Sequence, residues 1–551
     1  MKEYIIHPSS GNASVLWREA FREIRAREGG RVVFAPGRYD FYPEGCSRRY
    51  CYFSNNDEGV KTIVLDLAGI DGLEICGEGA EFFFHGRISP LVAEHCRDLS
   101  VGGMTVDFED SFVSDADLED VSEGVSYFRI GGKHAWRDGK LVFTGDFYDN
   151  LSGQLVFYPY DAVRNELVWD QKPVTLANRE LLCRDGLIGF PYDFSDCGTK
   201  AFVIKHELRL CPGMVFSECG NVLVRGVSLH HAAGMGLLFQ CSRDIRVERV
   251  RVCPRNRRAS VSDDALHTAD CRGRIEITDS FFSGTLDDSI NIHGICRPLR
   301  TRDDFYYLDT GHFQQLGLPG AEGGDTLILL KNDTLRPYGE IKISAVAQLN
   351  KAMTAVTLDE NELPEEFVPG DCAMISEVNH ATLTIRNCRF APLNGRGILA
   401  SGLSDAEISG NTFHTSGAAV FVAGDAGFWY ESGPVRNMVI SGNVFDNCCY
   451  RRWISTREPV GVFPEIRRQE PGFYYHRNIT VKHNVFRSSF RNVVSMRSVA
   501  NAVVEDNEFI RDETYTFMEG EPTGYFFSGP VPSQVVFMDC GHCVDSGNVR
   551  K

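Results

Sequence analysis

The 551-residue sequence has a shortage of positive charge, and this shortage restricts what the protein can bind. Lys and Arg number 57 against 75 Asp and Glu, so the formal net charge is -18. Phosphate binding requires clustered Lys and Arg, so the composition disfavours nucleic acid and anionic membrane surfaces as partners. A neutral ligand fits this charge better.

Long hydrophobic runs are also missing. No stretch of eighteen consecutive apolar residues occurs, which predicts that the chain has no membrane span. The opening residues, MKEYIIHPSSGN, lack the apolar centre of a signal peptide, so we expect a soluble chain. A periplasmic or extracellular protein whose signal had been removed would look the same, so the compartment stays open.

The 18 cysteines do not supply the two C-x-x-C pairs that a four-cysteine zinc site needs. We expect them to be small buried hydrophobic residues, with a few disulfides as the alternative. The cysteine spacing therefore gives no indication of a zinc site.

A short pattern recurs in the C-terminal part of the chain. An aliphatic residue is followed by Asn or a substitute after three positions and by Phe after five, in IRNCRF, ISGNTF, ISGNVF, VKHNVF and VEDNEF. The spacing has a constant minimum with additions, which is typical of solenoid coils with loop insertions. The pattern predicts a right-handed parallel β-helix with a ladder of stacked Asn side chains, namely Asn411, Asn443, Asn484 and Asn507.

The expected fold class is all-β, a parallel β-helix solenoid with two small antiparallel β-barrels inserted. An amphipathic helix in LWREAFREIRAREGG is expected to cap the first coil. Two stretches of hairpin-like sequence break the coil rhythm and predict the barrels. The predicted division is 1–109 for the cap and first coils, 110–213 for the first barrel, 214–299 for coils carrying an Asp cluster, 300–378 for the second barrel and 379–551 for the last coils.

Two Asp-Asp pairs stand out within the predicted coils, in VSDDALHTAD and SGTLDDSINIHG. Asp264 and Asp288 are twenty-four residues apart, which would place them about 5 Å from each other on adjacent coils. Crowded carboxyl groups raise at least one pKa, and this allows one to act as a general acid and another as a base. We therefore predict that Asp264, Asp287 and Asp288 are catalytic, with a calcium site or a solvated acidic turn as the alternative.

Other polar and aromatic residues are predicted to contact the substrate. Strand alternation should turn Asp263 away from Asp264, so its replacement is expected to be milder than that of the other three. Trp429 could stack on a sugar face, and Arg396 could be a ligand clamp or a loop tether. The predicted substrate-binding residues are Asp263, His267, Asn291, His293, Arg396, Trp429 and Glu431.

Three segments carry a family resemblance: LHHAAGMGLLFQCS, SDDALHTADCRGRIEITDSFFSGTLDDSINIHG and AAVFVAGDAGFWYESGPVRNMVISGNVF. Together they resemble glycoside hydrolase family 110. The resemblance implies a β-helix with two barrel insertions, and Asp264, Asp287 and Asp288 as its catalytic aspartates. It also implies removal of terminal α-1,3-linked galactose, as in the blood group B determinant, with inversion and without metal or cofactor. A homodimer is a further implication.

Rival functions follow from the same fold. A polygalacturonase-like enzyme is suggested by NIHG, but the sequence lacks an Arg-x-Lys for a uronate carboxylate. A polysaccharide lyase would bind an acidic polymer, which the charge of -18 opposes. A non-catalytic carbohydrate-binding β-helix, such as a tailspike or adhesin module, would not need a concentrated acidic cluster. Preference for branched or linear galactosides stays open.

Overall fold

A computed structural model describes residues 3–25, 29–150, 152–169, 171–206, 209–302, 305–359, 363–392, 394–451, 458–489, 492–515 and 533–551. Three long sheets, almost wholly parallel, run the length of the molecule. Each coil contributes one short strand to each sheet, because a single coil cannot bury its apolar face without neighbours above and below it. The parallel β-helix predicted from the repeats is confirmed.

The first sheet has thirteen strands: Glu3–Ile6, Gly30–Phe34, Leu73–Cys76, Arg97–Gly102, Gly220–Arg225, Arg243–Glu248, Arg272–Thr278, Thr382–Arg386, Leu403–Ser409, Val435–Ser441, Ile479–Lys482, Asn501–Glu505 and His542–Ser546.

The second sheet has twelve: Gly37–Phe41, Ala80–Phe84, Thr105–Phe108, Ser228–Leu229, Arg251–Val252, Phe281–Phe282, Arg389–Phe390, Thr412–Phe413, Val444–Asp446, Val485–Ser488, Glu508–Arg511 and Val549–Arg550.

The third sheet carries the candidate site. It contains Ser47–Cys51, Gly59–Ala68, Ile88–Glu94, Met214–Ser217, Leu237–Gln240, Leu266–Ala269, Ile290–Ile295, Ile398–Ala400, Val420–Val422, Val460–Val462, Val494–Arg497 and Val535–Met538, and Glu431–Ser432 joins it antiparallel to Ile290–Ile295.

The recurring Phe residues form a column inside the helix. The rings of Phe390, Phe413, Phe445, Phe486 and Phe509 follow one another at centroid distances of 4.5, 5.1, 4.5 and 5.5 Å. All five are buried in the main hydrophobic core. Stacking one aromatic residue per coil is how the repeat closes its interior.

The predicted Asn ladder is present beside this column. Asn411 donates from Nδ2 to Oδ1 of Asn443, Asn443 donates likewise to Asn484, and Asn484 to Asn507, each over 3.0 Å. Asn548 extends the ladder by one step. Each buried amide also accepts a backbone N–H, so the turns pair their polar groups without water.

The helix Ala13–Arg25 covers the first coil at the N-terminal end. Its apolar face buries Trp17 and Ile24, and the Trp17 ring stacks on Phe34 of the first sheet at 6.1 Å. The helix begins where Asn12 accepts the backbone N–H of Ser14 through its side chain. The cap expected from the amphipathic spacing is present.

The first insertion contains two antiparallel sheets among the described residues. Its main sheet has the strands Glu166–Leu167, Gln154–Asp161, Ala201–Lys205, Val113–Ser122, Val125–Ile130, Leu187–Phe190 and Leu182–Arg184 in that order, with Val174–Ala177 beside Gln154–Asp161. The edge strands of the described part do not pair with each other. A separate three-stranded sheet, His134–Arg137, Lys140–Gly145 and Tyr148–Asn150, packs Leu141 and Phe143 into the same core. Packing of side chains in this shared core joins the two sheets of the insertion.

The second insertion is a closed barrel. Its strands run Arg297–Arg302, Phe305–Asp309, Met353–Leu358, Pro337–Gln348, Thr326–Leu330 and Cys372–Ile375 around the ring. Three short 3-10 helices complete the regular elements: Ser195–Cys197, Phe313–Gln315 and Val378–His380. No helix in the described ranges is long and apolar enough to cross a membrane.

All 18 cysteines lie within the described ranges, where no disulfide joins any two of them. Most of them are buried along the coils, as expected of small hydrophobic residues, and the alternative of a few disulfides is not seen in the described structure.

Candidate active site

Equivalent positions on two adjacent coils are twenty-four residues apart here, which is the spacing of the two Asp pairs. Leu266 pairs with Ile290 and Ile290 with Ile398, so the residues two positions earlier, Asp264, Asp288 and Arg396, stack on three successive coils. The second barrel is inserted between the last two of these coils. The column therefore joins residues that an insertion separates along the chain.

These residues border a cavity of about 390 Å³ on the third sheet. Most of the predicted site residues line it: Asp264, Asp287, Asp288, Asn291, His293, Arg396, Trp429 and Glu431. Asp263 and His267 do not; both are fully buried behind the wall.

The carboxyl groups of Asp264, Asp287 and Asp288 crowd together, with an oxygen of each lying within 4.8 Å of the others. Burial and the two neighbouring carboxylates raise the pKa of Asp264 well above its usual range. Burial and Asp288 raise the pKa of Asp287 to about 6, although Arg209 opposes this. Asp287 is the accessible member, with 35% of its side chain exposed against 5% for Asp264 and 2% for Asp288.

Asp287 and Asp288 both place a carboxylate oxygen near Asp264, although they are neighbours along the chain. Both residues lie in the bend before the strand Ile290–Ile295, where the regular alternation of side chains has not begun. Gly395 packs over this bend, and a Cβ there would come within 2.6 Å of the Asp287–Asp288 peptide. The close approach of the next coil thus requires glycine at this position.

Arg396 proves to be the counter-ion of Asp288. Its backbone N–H and Nε donate to Oδ1 at 2.6 and 3.0 Å, and Nη2 lies 2.9 Å from Oδ2. Such bidentate, charge-assisted pairing fixes the orientation of the carboxylate. The partner of Arg396 in this structure is therefore the Asp288 carboxylate.

Asp263 lies behind the cavity wall in a buried charge cluster. Its Oδ1 lies 2.8 Å from Nζ of Lys205 and 3.2 Å from Nε of Arg209. Burial opposes its ionisation, yet Lys205 and Arg209 together lower the pKa of Asp263. Arg209 then reaches Asp287 through Nη2 at 3.1 Å. Asp263 therefore orients a cation that contacts the cluster, and no contact with a ligand in the cavity is available to it.

A chain of hydrogen bonds leads from Asp264 into the protein. His267 Nδ1 lies 2.8 Å from Oδ2 of Asp264, and His267 Nε2 lies 2.9 Å from Nε2 of His293. His293 Nδ1 faces the carbonyl of Gly294, which only accepts, so this nitrogen carries hydrogen. Burial, His293 and Arg209 hold the pKa of His267 well below its usual range. Two imidazole rings and one carboxyl group thus form a continuous buried chain that ends at Asp264.

Glu431 closes the opposite wall of the cavity. It accepts from Nδ2 of Asn55 at 2.7 Å and of Asn291 at 3.2 Å, and His293 lies 3.7 Å away. Burial opposes ionisation of Glu431, but His293 and the two amides outweigh it and lower its pKa. An ionised acceptor between two amides is suited to hold a sugar hydroxyl.

Trp429 is held by its loop. The carboxylate of Asp425 accepts four successive backbone N–H groups, from Gly427 through Tyr430, at 2.5–3.2 Å. Gln315 of the second insertion donates to the Trp429 carbonyl at 2.8 Å. The indole therefore meets the cavity in a fixed position, which a stacking residue requires.

Several residues at this site were not predicted from the sequence. Lys205 ends the last strand of the first insertion, and Arg209 comes shortly after it. Asn55 belongs to an early loop, 376 residues from its partner Glu431. No local pattern marks any of them. The further residues that line the cavity are Asn394, Gly395, Leu399, Ser401, Phe421, Ala423, Asp425 and Glu465.

A parallel β-helix that holds clustered carboxyl groups of different pKa in an open cavity defines a class, the β-helical glycoside hydrolases. Family models support the architecture. Residues 308–373 match GLAA-B beta-barrel domain II, and residues 368–540 match the right handed beta helix region.

Curated proteins with similar sequences are alpha-1,3-galactosidases. The chain is 27% identical to alpha-1,3-galactosidase A of Bacteroides fragilis over 91% of this chain and 86% of the relative. It is 28% identical to alpha-1,3-galactosidase B of Bacteroides thetaiotaomicron over 92% and 84%. A solved tailspike protein of E. coli bacteriophage HK620 aligns with a TM-score of 0.45 at 11% identity, over 99% of this chain and 64% of the tailspike. The chain is thus similar to alpha-1,3-galactosidases, which are glycoside hydrolases, over about nine-tenths of its length.

Proposed function

We propose that this protein is an exo-acting α-1,3-galactosidase that hydrolyses terminal α-1,3-linked galactose, in the blood group B determinant, in linear Galα1-3Gal or in both. The observation that carries the proposal is the cluster of Asp264, Asp287 and Asp288 at the cavity wall, with three different electrostatic environments. The names of the relatives support the choice of galactose.

A neutral sugar suits the cavity better than a uronate. Its two guanidinium groups, Arg209 and Arg396, are already paired with Asp287 and Asp288. The remaining charged groups that line it are the carboxyl groups of Asp425, Glu431 and Glu465. A sugar carboxylate would meet repulsion here, whereas hydroxyl groups would find acceptors. This disfavours the polygalacturonase-like alternative.

The three aspartates would divide the work by their environments. Asp287 is exposed and its raised pKa keeps it protonated in mildly acidic solution, so it would donate the proton to the leaving oxygen. Asp288, which pairs with Arg396, would take a proton from the attacking water. Asp264, whose pKa is raised well above its usual range by burial and the neighbouring carboxylates, would lie beside that water without competing for its proton.

The pH dependence of wild-type activity tests the role of Asp287. An acid must be protonated to act, so kcat/KM for Galα1-3Gal is expected to fall as the pH rises through about 6. α-Galactosyl fluoride provides the control, because fluoride departs without a proton from the enzyme. Its alkaline decline should be much weaker. An equal decline for both substrates would assign the titration to another group.

The stereochemistry of the product is a second test. Inverting glycosidases place their acid and base about 6.5–9.5 Å apart, whereas retaining ones place them about 5–5.5 Å apart. The oxygens here lie within 4.8 Å, so the distance alone does not support inversion. We propose inversion because Asp287 lies outermost while Asp264 and Asp288 lie deeper, where a water could be held on the other side of the sugar.

Proton NMR during the first minutes of hydrolysis, before the anomers equilibrate, should therefore show β-galactose as the first product. The control is free α-galactose added to heat-inactivated protein, which gives the rate of spontaneous mutarotation. An initial α-galactose signal would establish retention and would make one of the aspartates a nucleophile.

A further inference from the structure

A second depression lies beside the candidate active site. It has a volume of about 200 Å³ and is lined by Asn332, Asp425, Gly427, Phe428, Glu465, Ile466 and Arg467. Asp425 and Glu465 also line the larger cavity, so the two spaces share a wall. The smaller space can accept one sugar ring beyond the galactose.

Phe428 is the unusual residue in this depression. Its side chain is 63% exposed, although it belongs to a loop that is tightly held. The Asp425 carboxylate accepts its backbone N–H, and its ring meets Trp429 edge-on at 5.2 Å and 89°. A large aromatic ring kept in water by a fixed loop is typical of a surface that stacks against a ligand.

The polar groups of the depression fit a neutral, hydroxyl-rich ligand. Burial and Asp425 raise the pKa of the Glu465 carboxyl group, although Arg396 opposes this. Arg467 offers donors from the same segment, and its guanidinium packs against Gly427, where a Cβ would meet it at 2.5 Å. Donors and acceptors beside an aromatic face match the two sides of a sugar, whose ring hydrogens are apolar and whose hydroxyls are not.

We propose that this depression is the binding site for the leaving-group sugar, with Phe428 as its stacking wall and Glu465 and Arg467 as its hydroxyl partners. The proposal rests on the proposed galactosidase function and goes further, because it assigns the residues that recognise the sugar next to galactose. Trp429 then serves the galactose cavity and Phe428 the adjoining sugar, from neighbouring positions on one loop.

The test compares two substrates that share galactose but differ in the leaving group. Galα1-3Gal places a sugar in the depression, whereas α-galactosyl fluoride leaves it empty. For Phe428→Ala, the ratio of kcat/KM for the disaccharide to kcat/KM for the fluoride is expected to fall about tenfold, the order of an aromatic contact. Glu465→Gln and Arg467→Ala should lower the same ratio.

Phe313→Ala is the matched control. Phe313 is equally exposed, at 69%, and touches the same ring cluster through His312 at 4.5 Å, but it lines neither cavity. Its substitution should leave the ratio unchanged. The proposal is wrong if Phe428→Ala lowers kcat/KM for both substrates alike or changes neither. A wild-type protein that hydrolyses neither substrate would refute the galactosidase function itself, and the subsite with it.

Discussion

The Asp287→Asn protein is expected to hydrolyse Galα1-3Gal with a kcat about 10²–10⁴-fold below that of the native chain, while keeping its fold. Asparagine preserves the shape of Asp287 and its contact with Arg209, but it has no acidic proton to give to the leaving oxygen. The loss should shrink for α-galactosyl fluoride, since its leaving group needs no protonation. Initial rates on both substrates and the circular dichroism spectrum measure this.

Asp185→Asn supplies the matched control for this experiment. Asp185 lies exposed in a turn of the first insertion with a φ of 51°, a conformation that asparagine also tolerates. Its activity should equal that of the native chain. Near-native hydrolysis of Galα1-3Gal by Asp287→Asn would reduce Asp287 to a partner of Arg209 and would leave Asp264 as the candidate acid.

The repeat made much of the coil architecture predictable. One Asn and one Phe per coil are local signals, because each side chain packs on its equivalent in the next coil and so recurs at the coil spacing. The register of Asp264 and Asp288 followed for the same reason. Arg396 was the harder case, since the second barrel lies between it and Asp288 along the chain although the two are adjacent in the column.

Residues supplied from outside the coils could not be predicted in this way. Lys205 ends the last strand of the first insertion, and Arg209 follows it before the coils resume. Their contacts with Asp263 and Asp287 depend on how that insertion docks, which no repeat encodes. For the same reason, hairpin patterns predict the strands of the first insertion, whereas closure into a barrel depends on pairing between strands that are distant in sequence.

Asp263 forms buried ion pairs that strand alternation alone does not predict. It does turn away from Asp264, but it turns toward the buried cations Lys205 and Arg209. Removing one partner of a buried ion pair leaves the other charge without compensation. We therefore expect Asp263→Asn to lower the free energy of unfolding by about 3–5 kcal/mol, in addition to the milder effect on activity that alternation predicts.

Urea denaturation of Asp263→Asn beside Asp149→Asn measures this difference, because Asp149 forms an ion pair with Arg137 in which both side chains are half exposed. An exposed pair contributes at most about 1 kcal/mol, so the control should unfold close to the native midpoint. Adding Lys205→Met to Asp263→Asn removes the uncompensated ammonium and should recover part of the stability. If the single Asp263→Asn variant unfolds like the control, water reaches Lys205 and the cluster is not the closed charge network that orients Arg209 toward Asp287.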